Sequence, residues 1–338
     1  MNRRVRSALI LVIFSLLIGV PIPEAYASRG SDEIVKSRTY SPLTVTTSSV
    51  IQQQLDAIVA ETLAAYKAKG LKPEELSVTV IEMTDQSSPV SAAYRGESPL
   101  YPASVVKMFY MAALHQQLED GKVRLTPELE RGLRDMIVDS SNEATQYILD
   151  VLTDTSSGAE LPKKQFDKWQ FKRNRVNRYF ASMGYTNINV NQKTFCEDAY
   201  GIEQQSRNYK GQNRNMITTN ASARLIAEIA AGRSVNGQRS RMMMELLKRD
   251  PFAPEKSANS QAVDFAGKVL RDRKLDGARL WSKAGWTSRS RHDAAYIELA
   301  DGRKFAIAIF TENHANEVGI LPEITGKVID RLRKERTN

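Results

Sequence analysis

Strand-like segments stand at both ends of this chain and helical segments fill the middle. That order limits the folds open to it. Apolar or alternating runs at 76–83 and 90–94 read as strands, as do those at 278–285, 293–299 and 304–311, with an Asp301-Gly302 turn between the last two. Helical spacing runs from 50 to 69, where Ile51, Leu55, Ile58, Val59, Leu63 and Tyr66 form one stripe and Gly70 ends it. It returns from Ser104 to about Asp120, from Pro127 behind a Thr126 cap through Ile137, in a further helix after Glu143 to about Leu152, and over 176–183, 219–231, 241–248 and 321–334. The expectation is an α+β fold: one antiparallel sheet assembled from both chain ends and flanked by helices, beside a mainly helical subdomain. The α/β part covers about 50–100 and 265–338, and the helical part about 101–264.

Three stretches lack this periodicity. Residues 28–49 are rich in Ser and Thr and read as a linker. Residues 153–174 are polar and basic and read as an insertion. Residues 185–212, rich in Asn, Gln and Tyr, read as a long loop of the kind that often carries function. The first 27 residues have the form of an export signal. Arg3, Arg4 and Arg6 precede an apolar run to Val20, and Ala25-Tyr26-Ala27 has the small-x-small form of a cleavage site. The expectation is an exported, periplasmic or extracellular protein cut after Ala27. Losing Arg3, Arg4, Arg6 and Glu24 would take the net charge from +9 to +7.

The 338 residues can bury a sizeable core. The basic balance has no nucleic-acid module to accompany it, so no nucleic-acid partner is expected. In an exported protein a basic surface suits peripheral contact with anionic cell wall or a membrane surface; the oligomeric state is left open. Cys196 is the only cysteine, so no internal disulfide can form. His115, His292 and His314 show no metal-ligand spacing, and no metal or other cofactor is expected.

The stretch richest in chemistry is Tyr101-Pro-Ala-Ser104-Val-Val-Lys107. At helical spacing, Ser104 and Lys107 fall on one face of a first turn. A serine hydroxyl needs a base to become a nucleophile, and a lysine can be that base when burial or another cation lowers its pKa. A helix start also offers free backbone N–H groups to a developing oxyanion. Two further clusters follow: Ser140-Ser141-Asn142 in a turn between helices, and Lys283-Ala284-Gly285 at a strand end, ahead of Trp286.

These three motifs, in this order and context, resemble those of the penicillin-recognising serine acyl-hydrolases, the class A β-lactamases and DD-peptidases (penicillin-binding proteins). The resemblance runs from about Val50 to the C-terminus, and Arg214-Asn215, Thr218-Thr219 and Ala223-Arg224-Leu225 add to it. It implies the β-lactamase/transpeptidase-like fold and an acyl-enzyme at Ser104, formed with β-lactams or with the D-Ala-D-Ala end of peptidoglycan stem peptides. It implies Lys107 as base, Ser140 as relay to the leaving nitrogen, and Asn142 as partner of the substrate amide. Lys283 would help keep Lys107 neutral and attract the substrate carboxylate. The backbone of Ser104 and Trp286 would form the oxyanion hole, with Gly285 and Thr287 at the substrate strand.

The departures bear on function. Ala284 stands where the family usually has Thr or Ser, so a hydroxyl is lost unless Thr287 or Ser288 supplies one. Ser141 replaces the usual Asp. The loop after Gly184 lacks the Glu-x-x-x-Asn pattern whose Glu activates the deacylating water. Its position falls near Thr194, and Glu197 comes three residues late, a possible base only if the loop is remodelled. DD-peptidase-like turnover is therefore favoured over β-lactamase turnover with a displaced base, and over a non-catalytic penicillin- or cell-wall-binding protein.

Overall fold

The computed structural model describes residues 33–195 and 198–334. The expected export signal, Cys196 and Glu197 lie outside them. Five of the seven strands among the described residues form the body of one sheet: β2 (Leu76–Glu82), β3 (Val90–Tyr94), β5 (Arg279–Trp286), β6 (Arg291–Glu298) and β7 (Lys304–Thr311). Two-residue strands, β1 (Thr46–Thr47) and β4 (Lys248–Arg249), edge it, giving the order β1-β3-β2-β7-β6-β5-β4. The chain ends meet at β2 and β7, which pair antiparallel with Val78 opposite Ile309. Every other pairing is antiparallel except β1 with β3.

The central strands are buried on both faces, which is why they read as near-continuous apolar runs. Leu76, Val78, Val80, Ile297, Ile307 and Ile309 face one core with α1 (Ser49–Ala65), α11 (Lys268–Asp272) and α12 (Ile320–Lys334). Ala294, Ala306, Ala308 and Phe310 face the other. That second face carries small residues because α8 (Thr219–Ala230), itself studded with Ala221, Ala223 and Ala227, lies directly on it. The helical half is completed by α2 (Val106–Glu119), α3 (Pro127–Arg134), α4 (Asn142–Thr153), α5 (Lys163–Arg173), α6 (Arg175–Ser182), α7 (Gly201–Arg207), α9 (Gly237–Leu247) and α10 (Ser260–Val263). Its axis is α2, buried all round from Val106 to Leu118, as a helix without a polar face must be.

Three expectations change. The stretch expected as a linker over 28–49 is folded from Ile34 onward. Ile34 and Leu43 are buried, the Tyr40 hydroxyl donates to the Glu228 carboxylate at 3.0 Å, and β1 joins the sheet. Its few apolar anchors follow no period, so they left no pattern to read. The insertion over 153–174 contains α5, and the loop over 185–212 contains α7. Both helices bury mostly polar residues on their inner faces: Gln170 and Arg173 beside Phe166 on α5, and Glu203 and Ser206 beside Ile202 on α7. Hydropathy misses such a face. The Arg173 guanidinium grips Glu203 with two bonds at 2.7 and 2.8 Å, and Lys193 joins Asp150 at 2.6 Å. The loop before α7 is held in turn by Asn215, whose Oδ1 accepts the N–H groups of Asn191 and Gln192.

Removing one partner of a buried ion pair leaves the other charge uncompensated. Arg173→Ala is expected to lower the unfolding free energy by about 3–5 kcal/mol in urea titrations, since Arg173 and Glu203 are both almost wholly buried.

Candidate active site

Ser104 sits in a tight 3₁₀ turn, Ala103–Val105, that runs straight into α2. The turn is tied down on three sides. Leu100 exchanges two backbone hydrogen bonds with Ile217, and Val105 N–H donates to the Pro102 carbonyl. His292 of β6 donates from Nε2 to the Tyr101 carbonyl at 2.9 Å. That tautomer follows because His292 Nδ1 accepts the Thr311 N–H. Burial pushes the ring's pKa down to about 4, so it is a neutral strut. Ala103 has φ +46°, a conformation that costs a residue with a Cβ about 1–3 kcal/mol and that aims Ser104 into the cavity.

Strand β5 passes this turn at close range. A Cβ on Gly285 would come 2.7 Å from the Pro102 carbonyl oxygen and 2.8 Å from Ser104 N. Glycine is required there because backbone must lie against backbone. The two residues on either side of Gly285, Ala284 and Trp286, line the same cavity with Ser104, Ser140 and Asn142, and the space amounts to about 450 Å³. Trp286 is 58% exposed at its mouth.

Ser140 is presented by a π-helical turn, Asp135–Asp139, and has φ +59°. Its hydroxyl oxygen lies between two buried lysines. Lys107 Nζ stands 3.3 Å away and Lys283 Nζ 3.0 Å away. Lys107 also donates to the Asn142 side-chain oxygen at 2.9 Å. Lys283 also donates to Gln261 Oε1 and to the Ala284 carbonyl, both at 2.8 Å. Burial, then Lys107 and Arg249, pull the Lys283 pKa well below the usual lysine range, while Asp293 opposes them. Such an arrangement can receive a proton at a lysine in its free amine form and pass one through the serine hydroxyl, next to a second hydroxyl at Ser104.

Ser104, Lys107, Ser140, Asn142, Lys283, Gly285 and Trp286 therefore converge. Thr287 does not line the cavity; its hydroxyl oxygen accepts the N–H groups of Arg289 and Ser290 in the β5–β6 turn. Ser141, in place of the expected Asp, caps α4 by accepting the Ala144 N–H. Thr194 is buried, and its carbonyl accepts from Gln146 of α4. Glu197 is outside the described residues.

Sequence reasoning passed over several residues of this site. Gln261 on α10 bonds Lys283 directly. Arg291 lines the cavity beside Phe265, with its guanidinium 4.7 Å from that ring. Asp293 lies opposite Ala284 across the β5–β6 ladder and is fully buried. The available signal was Arg291-His292-Asp293, three ionisable residues opening an otherwise apolar strand whose hairpin partner carries the Lys283 motif.

A family model described as the beta-lactamase enzyme family matches residues 126–332, more than half of the chain; the match begins beyond Ser104 and Lys107. Among curated proteins no match is found. Among solved structures, a beta-lactamase from Sphaerobacter thermophilus is 20% identical with a TM-score of 0.58, over 81% of this chain and 96% of that one. The structure of PBP-A is 16% identical with a TM-score of 0.56, over 88% and 100%. The TLA-1 extended-spectrum beta-lactamase is 14% identical with a TM-score of 0.59, over 82% and 99%. At these identities the likeness is one of fold.

Burial raises the Asp293 carboxyl pKa from 3.8 to about 7. The unfolded chain gives up this proton near pH 4 and the folded chain near 7, so rising pH favours unfolding across that window. Wild-type protein is expected to lose melting temperature relative to Asp293→Asn between about pH 4 and 7, read by calorimetry on both. Gly285→Ala must push β5 off the Ser104 turn; it is expected to cost about 1–3 kcal/mol in thermal unfolding.

Proposed function

Because the chain belongs to the beta-lactamase enzyme family and carries its fold, we propose that it is a serine acyl-hydrolase that forms an acyl-enzyme at Ser104. The observation that carries this reading is the Ser140 hydroxyl held between Lys107 and Lys283 at the floor of the cavity that Ser104 lines. The preferred acyl donors are β-lactams and peptides ending in D-Ala-D-Ala, with release slow, as in a DD-peptidase. One PBP-A variant has been solved as an acyl-enzyme complex with penicillin G, which gives the chemistry a counterpart on a similar fold.

In this reading Ser104 Oγ attacks the amide carbonyl while neutral Lys107 takes its proton. The carbonyl oxygen becomes an oxyanion facing the backbone N–H groups of Ser104 and Trp286, at the place where Gly285 lets β5 approach the turn. The proton returns through Ser140 to the leaving nitrogen, the C–N bond breaks, and the acyl group stays on Ser104. Lys283 contributes positive charge near the substrate carboxylate, and Arg291 adds a guanidinium on the cavity wall. Asn142 faces the amide side of the substrate. Water or an amine then accepts the acyl group. The absence of a Glu at Thr194 supports slow hydrolysis, since a carboxylate is what activates water there in class A enzymes. Export with cleavage after Ala27 would place the enzyme where peptidoglycan lies.

A fluorescent penicillin offered beside a chromogenic cephalosporin tests this. The wild type is expected to keep a covalent label with little cephalosporin turnover, and Ser104→Ala to take none. Rapid cephalosporin turnover would instead identify a β-lactamase and send the search for its base to Glu197→Gln. Absence of both would overturn the acyl-enzyme reading.

A further inference from the structure

The β5 strand is only partly covered on its outer edge. β4 pairs with it at Trp281 and Leu280 and goes no further. Three residues on, an edge group is met by a side chain instead of a strand: the Ala284 N–H donates to Gln261 Oε1 at 3.2 Å. The same oxygen accepts from Lys283 Nζ at 2.8 Å. On its other side the Gln261 amide donates from Nε2 to the Val138 carbonyl at 3.0 Å and to the Ile137 carbonyl at 3.3 Å.

These four contacts fix which way the amide points. Turned over, its NH₂ would meet two donors and its oxygen two carbonyls, so only one orientation satisfies a side chain that is 6% exposed. One buried amide thus ties together the turn that presents Ser140, the strand that carries Lys283, and the Lys283 side chain itself. As an ammonium, Lys283 has three hydrogens, and they meet three acceptors: Ser140 Oγ, the Ala284 carbonyl and Gln261 Oε1. Without Gln261, one third of that set disappears and the Ser140 turn loses a tie to β5.

We propose that Gln261 is a positioning residue for acyl transfer, holding the Lys283 ammonium on the Ser140 hydroxyl and keeping the Ser140 turn in register with β5. This rests on the acyl-enzyme reading given above. The titratable groups facing Lys283 are Lys107 from α2, Arg249 from β4 and Asp293 from β6. Burial, Lys107 and Arg249 disfavour its charge, and the Gln261 oxygen is the neutral acceptor that counters them without drawing the ammonium away from Ser140.

The test uses Gln261→Met, which keeps the volume and loses the acceptor, and Gln261→Glu, which keeps the shape and adds charge. In protein labelled with ¹³C-lysine, the Lys283 resonance, assigned with Lys283→Arg, is titrated without any substrate. Its midpoint is expected to fall by about one pH unit in Gln261→Met and to rise by at least about one in Gln261→Glu. The alkaline limb of penicillin acylation should move the same way, with the rate near pH 7 roughly tenfold lower in Gln261→Met. Coincident midpoints in the three folded proteins would overturn the inference. So would an acylation rate that falls equally at every pH, which is what a purely structural role produces. If Gln261→Met does not fold, the isosteric Gln261→Glu decides. Wild-type protein that takes no label fails the acyl-enzyme reading, whereas the Lys283 titration still reports whether Gln261 holds that ammonium.

Discussion

Two lysine side chains, both wholly buried, share one serine hydroxyl, and much of the molecule exists to make that tolerable. An ammonium removed from water costs several kcal/mol unless acceptors replace its hydration. Here the acceptors come from three directions. Helix α4 offers Asn142, the π-helical turn offers Ser140, and α10 offers Gln261. None of these elements is adjacent in sequence to Lys107 or Lys283. The seam between the sheet and the helical half is therefore set by where two buried lysine amino groups can find acceptors as much as by where apolar surface can be hidden.

Close backbone approach is the second constraint. The Ser104 turn and strand β5 touch without side chains between them, which demands Gly285 and leaves Ala103 at a positive φ. Strain of that kind persists only where the surroundings over-determine it. The neutral His292 strut, the paired bonds between Leu100 and Ile217, and the full burial of α2 behind the turn supply that constraint. Geometry at Ser104 is thus inherited from β6, from the segment ahead of α8, and from the core around Phe109 and Phe180, whose rings meet edge to face at 5.0 Å.

Further out, polar contacts hold the parts that apolar burial does not. Arg173, Glu203, Lys193 and Asp150 fasten α5, α7 and the loop before α7 to α4. Glu228 gathers Tyr40, Tyr185 and Arg224 and anchors the stretch that precedes β1. These are islands of charge in which every member is matched, so their specificity is high and their hydropathy signal low.

The local sequence determined most of the scaffold: strands at both ends, the helix behind Ser104 and the Thr126 boundary, while the grouping of Ser104, Lys107, Ser140, Asn142, Lys283 and Gly285 came with the resemblance of three motifs. The helix expected to reach Gly70 ends at Ala65 and passes into a 3₁₀ turn. Periodicity reports burial of apolar side chains, and motif spacing reports chemistry borne by neighbours one turn apart. The tertiary structure alone decided the rest. It made α5 and α7 helices whose inner faces are polar, turned the expected linker from Ile34 onward into part of the fold, and spent the Thr287 hydroxyl on a turn. It also brought Gln261, Arg291 and Asp293 to the site. Each of these depends on a partner far away in the chain, and the worth of a buried charge or amide is set by that partner, which no local window of sequence contains.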